Sequence, residues 1–194
     1  MPSARSPVVE VLADLGRAFA AIGVRWYLFG AQAAILYGAA RLSADVDVTV
    51  ALGDRRVAEL VAALDASGFE ARVPEPAAFA ETSRVLPVVH RSTRMPADVV
   101  LAGPGLEERF LAHAEARMID DVVVHVASAP DLVVMKVLAG RPKDLEDAIA
   151  VLRAQGDGLD PTRARATLRE LERALDRRDL VATLESAMAQ ARRP

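Results

Sequence analysis

The chain has 194 residues, a net charge of −3 and no cysteine, which excludes disulfide frameworks, thiolate zinc sites and cysteine nucleophiles. Its length suits one domain with a sizeable core, or one domain with a helical appendage, and its apolar share of 52% is typical of a globular protein. No run approaches the ~20 apolar residues of a membrane helix, and the N-terminal residues lack the apolar core of a signal peptide, so we expect a cytoplasmic protein without a membrane partner.

The first part of the chain has the pattern of alternating helices and strands. Ser6-Pro7 is a cap followed by proline at the first helical position, which predicts a helix up to Gly23. An apolar strand over 24–29, a turn at Gly30 and a short helix follow, and the next strand opens with Asp45-Val-Asp47. Further helices are predicted over 54–66, 76–82 and 106–116, and further strands over 69–73, 85–90, 97–102 and 122–126.

From Ala129 onward the apolar spacing is helical throughout. The predicted helices cover residues 130–138, 143–155, 162–178 and 180–192. The pattern therefore predicts an α/β (α+β) protein, with a mixed sheet flanked by helices over residues 1–128 and a C-terminal helical region over 129–194 that packs on this core.

Three acidic residues lie where predicted strands begin. Asp45 and Asp47 are two residues apart, so on a strand both side chains would point to the same face, and Asp98 lies near the start of a later strand. Carboxylates on neighbouring strands can hold two metal ions that clamp the attacking and leaving oxygens of a phosphoryl transfer. Oxygen ligands favour hard cations, here Mg²⁺ or Mn²⁺. Solvated strand ends are the alternative interpretation of the same residues.

The arrangement around these carboxylates resembles the nucleotidyltransferase superfamily related to DNA polymerase β. Its signature is Gly-Ser or Gly-Gly at the end of a strand, a short helix, Asp-x-Asp on the next strand and a third Asp on a later one. Within the superfamily the sequence is most similar to the minimal nucleotidyltransferases of the AbiEii toxin group of type IV toxin–antitoxin systems, in which an Arg precedes the acidic pair. The corresponding residues are Gly30-Ala31, Arg41, Asp45-Val46-Asp47 and Asp98.

A second block, after the last predicted strand, resembles a helical motif of the same group. By that resemblance Lys136 contacts the nucleotide phosphates, with Arg141 and Lys143 nearby, and Asp144 assists nucleophile activation or site geometry. Asp144 and Asp147 are three residues apart and would share one face of a helix. An ordinary helix N-terminus, where the helix dipole favours acidic residues, is the alternative interpretation.

The resemblance implies a metal-dependent enzyme that transfers a nucleoside monophosphate from a nucleoside triphosphate to an unidentified acceptor, which could be RNA or tRNA, a protein or a small molecule. It further implies a toxin with an antitoxin partner. Asp45, Asp47 and Asp98 would be catalytic and hold the metal, Asp144 would be a further catalytic residue, and the nucleotide would be bound by Gly30, Ala31, Arg41, Lys136, Arg141 and Lys143.

Two other functions fit the same residues. Ala31 stands where active members of the superfamily often carry a Ser that contacts the triphosphate, and a methyl group cannot supply that hydrogen bond. A protein of this fold that binds nucleotide or a partner without turnover is therefore the second hypothesis, and an aminoglycoside nucleotidyltransferase is the third. The histidines His90, His113 and His125 are isolated in the sequence, and we interpret each as structural or solvated.

Overall fold

The computed structural model describes residues 5–40 and 42–193, and these form two compact units. The first unit contains residues 5–32 and 43–127, and the second contains residues 33–40, 42 and 128–193. Strands and helices are combined in the first unit, and the second is helical, so the predicted mixed α/β class is confirmed. The packing of the helical region on the core stays a prediction. No helix in the described ranges is both long and apolar enough to cross a membrane.

The helices of the first unit begin close to the predicted residues. The first helix starts after Ser6, whose Oγ accepts a hydrogen bond from the Val9 N–H at 3.4 Å, as an N-cap does. The helices are α1 (Pro7–Ala21), α3 (Val57–Ala66), α4 (Pro76–Ser83) and α5 (Leu106–His113). The short helix α2 (Gly30–Leu36) begins in the first unit, and its residues from Ala33 onward belong to the second.

Seven strands of the described chain form one mixed sheet in the order β3-β4-β5-β2-β1-β7-β6. The strands are β1 (Arg25–Phe29), β2 (Val46–Ala51), β3 (Phe69–Ala71), β4 (Val85–His90), β5 (Pro96–Leu101), β6 (Glu115–Ile119) and β7 (Val122–Val126). The central strand β2 runs antiparallel to β1 and parallel to β5. The start of β2 therefore lies between the end of β1 and the start of β5.

Burial fixes which face of β2 carries the acidic residue. Val46, Val48 and Val50 are completely buried, and they alternate with Asp47 and Thr49. Because successive side chains of a strand point to opposite faces, Asp47 projects away from the side that these valines bury. A slip of one residue in the pairing would turn Asp47 to the side of the buried valines, so the pattern specifies the register.

Several predicted element boundaries differ from the observed ones, and two of them are at helices of the first unit. The helix expected from residue 54 begins at Val57, because the Arg56 N–H donates to Glu59 Oε1 at 3.2 Å and ends the preceding loop there. The helix expected to reach residue 116 ends at His113, and β6 follows it. This strand is largely exposed at the edge of the sheet, so its sequence lacks the apolar alternation of a strand, and its pairing with β7 is what makes it extended.

The second unit contains the four helices that the sequence predicts. They are α6 (Ala129–Ala139), α7 (Pro142–Gln155), α8 (Thr162–Leu175) and α9 (Leu180–Ala191), with a 3₁₀ turn at Gly156–Gly158. Helix α6 packs on α7 and α8, and α9 packs on α7 and α8. Leu132, Leu168 and Leu184 are completely buried, which indicates a core of its own for this unit.

Candidate active site

Sheet register brings two of the predicted carboxylates side by side. Asp47 of β2 pairs with Asp98 of β5 in the parallel direction, and Phe29 at the end of β1 pairs with Asp47 from the other side. Neighbouring strands lie about 4.8 Å apart, and residues in register project from the same face. The backbone therefore presents Asp47 and Asp98 together, at the end of the sheet where β2 and β5 begin.

Gly30 lies directly against the Asp47 side chain. Its φ of +68° is in the left-handed region, which favours glycine. A Cβ at this position would lie 2.0 Å from Asp47 Oδ2, 2.8 Å from its Cγ and 2.9 Å from its Cβ. Only glycine fits under this carboxylate, so the predicted turn at Gly30 has a second purpose that the sequence did not reveal. Its predicted contact with nucleotide stays a prediction.

The sequence predicted that the strand opens with Asp45, but Asp45 lies immediately before β2, which begins at Val46. Its side chain is exposed, and Ser43 Oγ donates a hydrogen bond to Asp45 Oδ1 at 2.5 Å. The buried side chain of Gln32 in α2 donates to the backbone carbonyls of Ser43 at 3.2 Å and Asp45 at 3.3 Å. Gln32 thus ties the loop before β2 to α2. Sequence reasoning missed this residue, although a single amide within the apolar run of α2 is the signal that could have found it.

We expect Gln32→Leu to loosen this loop while the sheet stays intact. The change removes two hydrogen bonds, each of which contributes roughly 0.5–1.5 kcal/mol to stability. Amide hydrogen exchange of residues 43–46 should become faster, and the free energy of unfolding should fall by about 1–2 kcal/mol. The matched control is Gln190→Leu, because Gln190 is exposed in α9 and its amide donates to Ser186 Oγ. Equal exchange rates in the two variants would show that Gln32 does not hold the loop.

Asp98 is accompanied by a cation that the sequence did not suggest. Its carboxylate is about half exposed, at 47%, and Oδ1 lies 3.8 Å from Nη1 of Arg72, just after β3. Strand β4 separates β3 from β5 in the sheet, and no local pattern in the sequence predicts that order. Arg72 therefore lowers the negative charge around Asp98.

The three carboxylates share one end of the sheet without forming a closed ligand set. Within residues 5–40 and 42–193, Asp45, Asp47 and Asp98 are not a group whose ligand atoms all lie within 4.8 Å of one another. Asp45 bonds Ser43, and Asp98 lies near Arg72. Their joint coordination of a metal stays a prediction.

In the second unit, Lys136 lies in a buried cluster of charges. Its side chain is 8% exposed, and Nζ donates to Asp144 Oδ1 at 3.0 Å and to Asp147 Oδ2 at 2.7 Å. Arg141, at the N-terminus of α7, donates through Nε to the other oxygen of Asp144. The predicted common face of Asp144 and Asp147 is confirmed, because both reach the same ammonium group. A single turn at Gly140 between α6 and α7 brings these groups together.

The pKa of Asp144 is set by opposing effects. Burial by itself would raise the pKa, but hydrogen bonds from Arg141 and Lys136 outweigh burial and hold the pKa of Asp144 below its usual value. Asp144 is therefore ionised at neutral pH. As an acceptor of two cations, it is suited to fixing the start of α7.

The remaining predicted nucleotide-binding residues differ in exposure. Arg141 and Lys143 are exposed near the start of α7. Ala31 is buried, so only its backbone is suited to a hydrogen bond with a ligand. Arg41 lies outside the described residues. The predicted nucleotide contacts of all four stay predictions.

Comparisons with known proteins give a likeness in structure alone. No family model matches the sequence, and no curated protein matches it significantly. The solution structure of the antibiotic-resistance factor ANT(2'')-Ia superposes with a TM-score of 0.58 at 14% identity, over 89% of this chain and 97% of that one. The crystal structure of ANT(2'')-Ia in complex with adenylyl-2''-tobramycin gives 0.59 at 17% identity, over 86% and 99%.

A fungal protein gives a similar result. The crystal structure of an antigenic nucleotidyltransferase-like protein from Paracoccidioides brasiliensis superposes with a TM-score of 0.54 at 15% identity, over 90% of each chain. At such low identities the likeness establishes the fold and not the activity. The mixed sheet of this protein, with its flanking helices, is the nucleotidyltransferase fold.

Proposed function

We propose that this protein is a metal-dependent nucleotidyltransferase, which moves a nucleoside monophosphate from a nucleoside triphosphate to an acceptor hydroxyl. The observation that carries the proposal is the register of Asp47 and Asp98 on parallel strands, with Gly30 beneath Asp47. Only glycine leaves room for the Asp47 side chain next to position 30. The nucleotidyltransferase motif has a carboxylate at the position of Asp47. The nucleotidyltransferase fold of the solved relatives supports the same activity.

The donor set fits a hard divalent cation. Asp45, Asp47 and Asp98 offer carboxylate oxygens, which suit Mg²⁺ or Mn²⁺. Asp45 is exposed, Asp47 is partly exposed and Asp98 is about half exposed, so all three are accessible without unfolding the core. An ion bound by these residues would neutralise charge on the triphosphate during transfer.

The chain's own residues would act around that ion in different ways. Asp45 and Asp47 would bind the metal ion that contacts the triphosphate. Gln32 would keep Asp45 in position through its hydrogen bonds to the loop carbonyls. Asp98 would orient the acceptor hydroxyl and accept its proton as the hydroxyl oxygen attacks the α-phosphorus and pyrophosphate leaves. Arg72 would offset part of the negative charge of Asp98 in this site.

The cations of the second block, Lys136, Arg141 and Lys143, would have different roles. The Lys136 ammonium already bonds two carboxylates, so direct contact with phosphate would require it to give up those bonds. Arg141 and Lys143 are exposed, and we assign phosphate binding in this block to them. Lys136 and Asp144 would then act by fixing the start of α7, which carries both cations.

Transfer of label tests the proposal. The protein is incubated with Mg²⁺, each α-labelled nucleoside triphosphate in turn, and either total tRNA, a soluble protein extract or a panel of aminoglycosides. We expect one acceptor class to become labelled by the wild type, and labelling to be lost in Asp47→Asn. Asp54→Asn is the matched control, because Asp54 is an exposed aspartate outside the sheet.

The same samples separate the proposal from its main rival. Metal-dependent nucleotide binding that Asp47→Asn abolishes, without label on any acceptor, would favour a binding protein in which Ala31 has replaced the usual Ser. Absence of both binding and labelling would contradict both hypotheses. Calorimetric titration of each nucleotide with and without Mg²⁺ measures the binding.

One observation favours an acceptor to test first. ANT(2'')-Ia, whose solved complex contains adenylyl-2''-tobramycin, superposes over 99% of its length in that complex. An aminoglycoside hydroxyl is therefore the acceptor to test first, with RNA and protein as the other candidates. The AbiEii likeness, the toxin role and the antitoxin partner rest on the motif resemblance, and they stay predictions.

A further inference from the structure

A second group of metal-ligating side chains lies in the first unit, separate from Asp45, Asp47 and Asp98. Glu10 and Asp14 of α1 and His90 of β4 offer ligand atoms that all lie within 4.8 Å of one another. Among the described residues, this is the one group of three or more His, Asp or Glu side chains whose ligand atoms lie that close together. His90 is isolated in the sequence, but in the fold it is buried beside Asp14. The separation of 76 residues between Asp14 and His90 hid the contact from sequence analysis.

The spacing of the three groups is compatible with a coordination sphere. Glu10 and Asp14 are four residues apart in α1, so both point to the same side of the helix. His90 Nε2 lies 2.9 Å from Asp14 Oδ2. Two ligands bound at about 2.1 Å and at right angles are separated by about 3 Å, as in octahedral geometry. An ion could enter between these atoms with little movement of either backbone.

Each ligand is held from behind by a partner of its own. Thr93 Oγ1 lies 2.9 Å from His90 Nδ1, which leaves Nε2 directed at the carboxylates. Arg17 Nη2 lies 2.7 Å from Asp14 Oδ1, the oxygen that does not face the histidine. Such outer contacts orient the ligands of a metal site and fix the tautomer of a ligating histidine.

Glu10 has an equivalent support. Ser92 Oγ, from the turn after β4, donates a hydrogen bond to Glu10 Oε1. All three ligands are thus oriented by hydrogen-bonding neighbours. This is more organisation than solvated carboxylates require, because exposed acidic side chains gain little from being fixed.

Burial makes the site more than a surface cluster. His90 is 2% exposed and Asp14 is 9% exposed, and the ring of Phe69 lies 4.9 Å from the imidazole between centroids. A Cβ on Gly68 would lie 3.7 Å from His90 Nε2, so the backbone itself covers this side of the ring. Two carboxylates and one imidazole thus meet in a largely buried place, with Arg17 on the outer oxygen of Asp14.

We propose that Glu10, Asp14 and His90 bind a divalent transition metal ion that links α1 to β4. The imidazole nitrogen favours Zn²⁺, Co²⁺ or Fe²⁺ over Mg²⁺, which distinguishes this site from the all-carboxylate group. The ion stabilises the folded first unit, because it binds residues that are brought together only by folding. The site is independent of the proposed transfer reaction.

Titration with Co²⁺ and Zn²⁺ tests the site. The protein carries Asp45→Asn, Asp47→Asn and Asp98→Asn, so that the carboxylates of the other group do not contribute. We expect one Co²⁺ to bind with visible absorption bands typical of nitrogen and oxygen ligands, and Zn²⁺ to displace it and raise the melting temperature. His90→Gln should abolish stoichiometric binding, and Thr93→Val should weaken it by about 10- to 100-fold.

Two further variants make the outcome decisive. Glu10→Gln removes a partly exposed ligand, so it serves if His90→Gln does not fold, and it should weaken binding as well. His125→Gln is the matched control, since His125 is exposed on β7, and it should bind as the parent does. If no stoichiometric ion binds, or if Glu10→Gln and His90→Gln bind as well as the parent, the group is a hydrogen-bonded network and the proposal is wrong.

Discussion

Lys136→Met should lower the free energy of unfolding by about 3–5 kcal/mol. Met fills a similar volume but supplies no charge, so Asp144 and Asp147 lose the ammonium they share. Both carboxylates are buried, at 2% and 4% exposure. Removing one partner from a buried cluster of charges costs more than the cluster itself contributes, because the desolvated charges remain.

The other cation of the cluster cannot replace Lys136. Arg141 donates to Asp144 from an exposed position, and its effect on Asp144 is part of what keeps the pKa of that carboxyl low. In the variant Asp144 keeps its contact with Arg141 but loses the hydrogen bond from Lys136. Asp147 depends on Lys136 through the shorter of the two ammonium contacts, at 2.7 Å.

Chemical denaturation followed by circular dichroism measures the loss. Lys143→Met is the matched control, because Lys143 is exposed in the same helix, and we expect its effect to be within about 0.5 kcal/mol. The combination of Lys136→Met with Asp144→Asn and Asp147→Asn should recover most of the lost stability, since no buried charge remains. Equal stability of Lys136→Met and Lys143→Met would mean that the cluster is solvated, and that Lys136 is available to a ligand.

The elements that the sequence predicted are those whose pattern is local. Helix α1 follows from its cap and its apolar spacing, and β4 follows from one run of apolar residues. The helices of the second unit are separated by Gly and Pro, and α8 and α9 by a polar segment that ends at Asp179, so they were readable as well. Strand β6 was not readable, because an exposed edge strand is determined by its neighbour β7 and not by its own residues.

The candidate site was predictable only as far as its residue types. Asp47 and Asp98 were found from the motif, and the parallel register that joins them agrees with that interpretation. The cation beside Asp98 and the histidine beside Asp14 were not found, because those contacts connect elements that are distant in the chain. Long-range packing decides which side chains meet, and one sequence contains no direct record of it.

Gly30 belongs to the sequence motif and also contacts the side chain of Asp47 on β2. Its substitution should therefore have the largest effect on function. In Gly30→Ala the new methyl group would overlap Asp47 Oδ2, Cγ and Cβ at 2.0, 2.8 and 2.9 Å. Rotation of the side chain relieves the first two overlaps but not the third, because the Cβ of Asp47 is fixed to β2. Asp47 and the start of β2 must therefore move.

We expect Gly30→Ala to reduce transfer, or metal-dependent nucleotide binding, by about 100-fold, since a displacement near 1 Å has that effect on a positioned group. Gly23→Ala is the matched control. Its φ of +67° equals that of Gly30 within a degree, and no atom lies within 4 Å of the added Cβ. Both variants carry the backbone strain of a left-handed alanine, about 1–2 kcal/mol, but only Gly30→Ala displaces the carboxylate.

Titration calorimetry and the labelling assay, with unfolding curves of both variants, separate strain from displacement. Equal loss of function in the two alanine variants would assign the effect to backbone strain. Function retained in Gly30→Ala at wild-type level would mean that Asp47 is not a metal ligand, whatever its place in the motif. Loss in Gly30→Ala alone, at equal stability, would identify the missing side chain at position 30 as the feature that fixes Asp47 for catalysis.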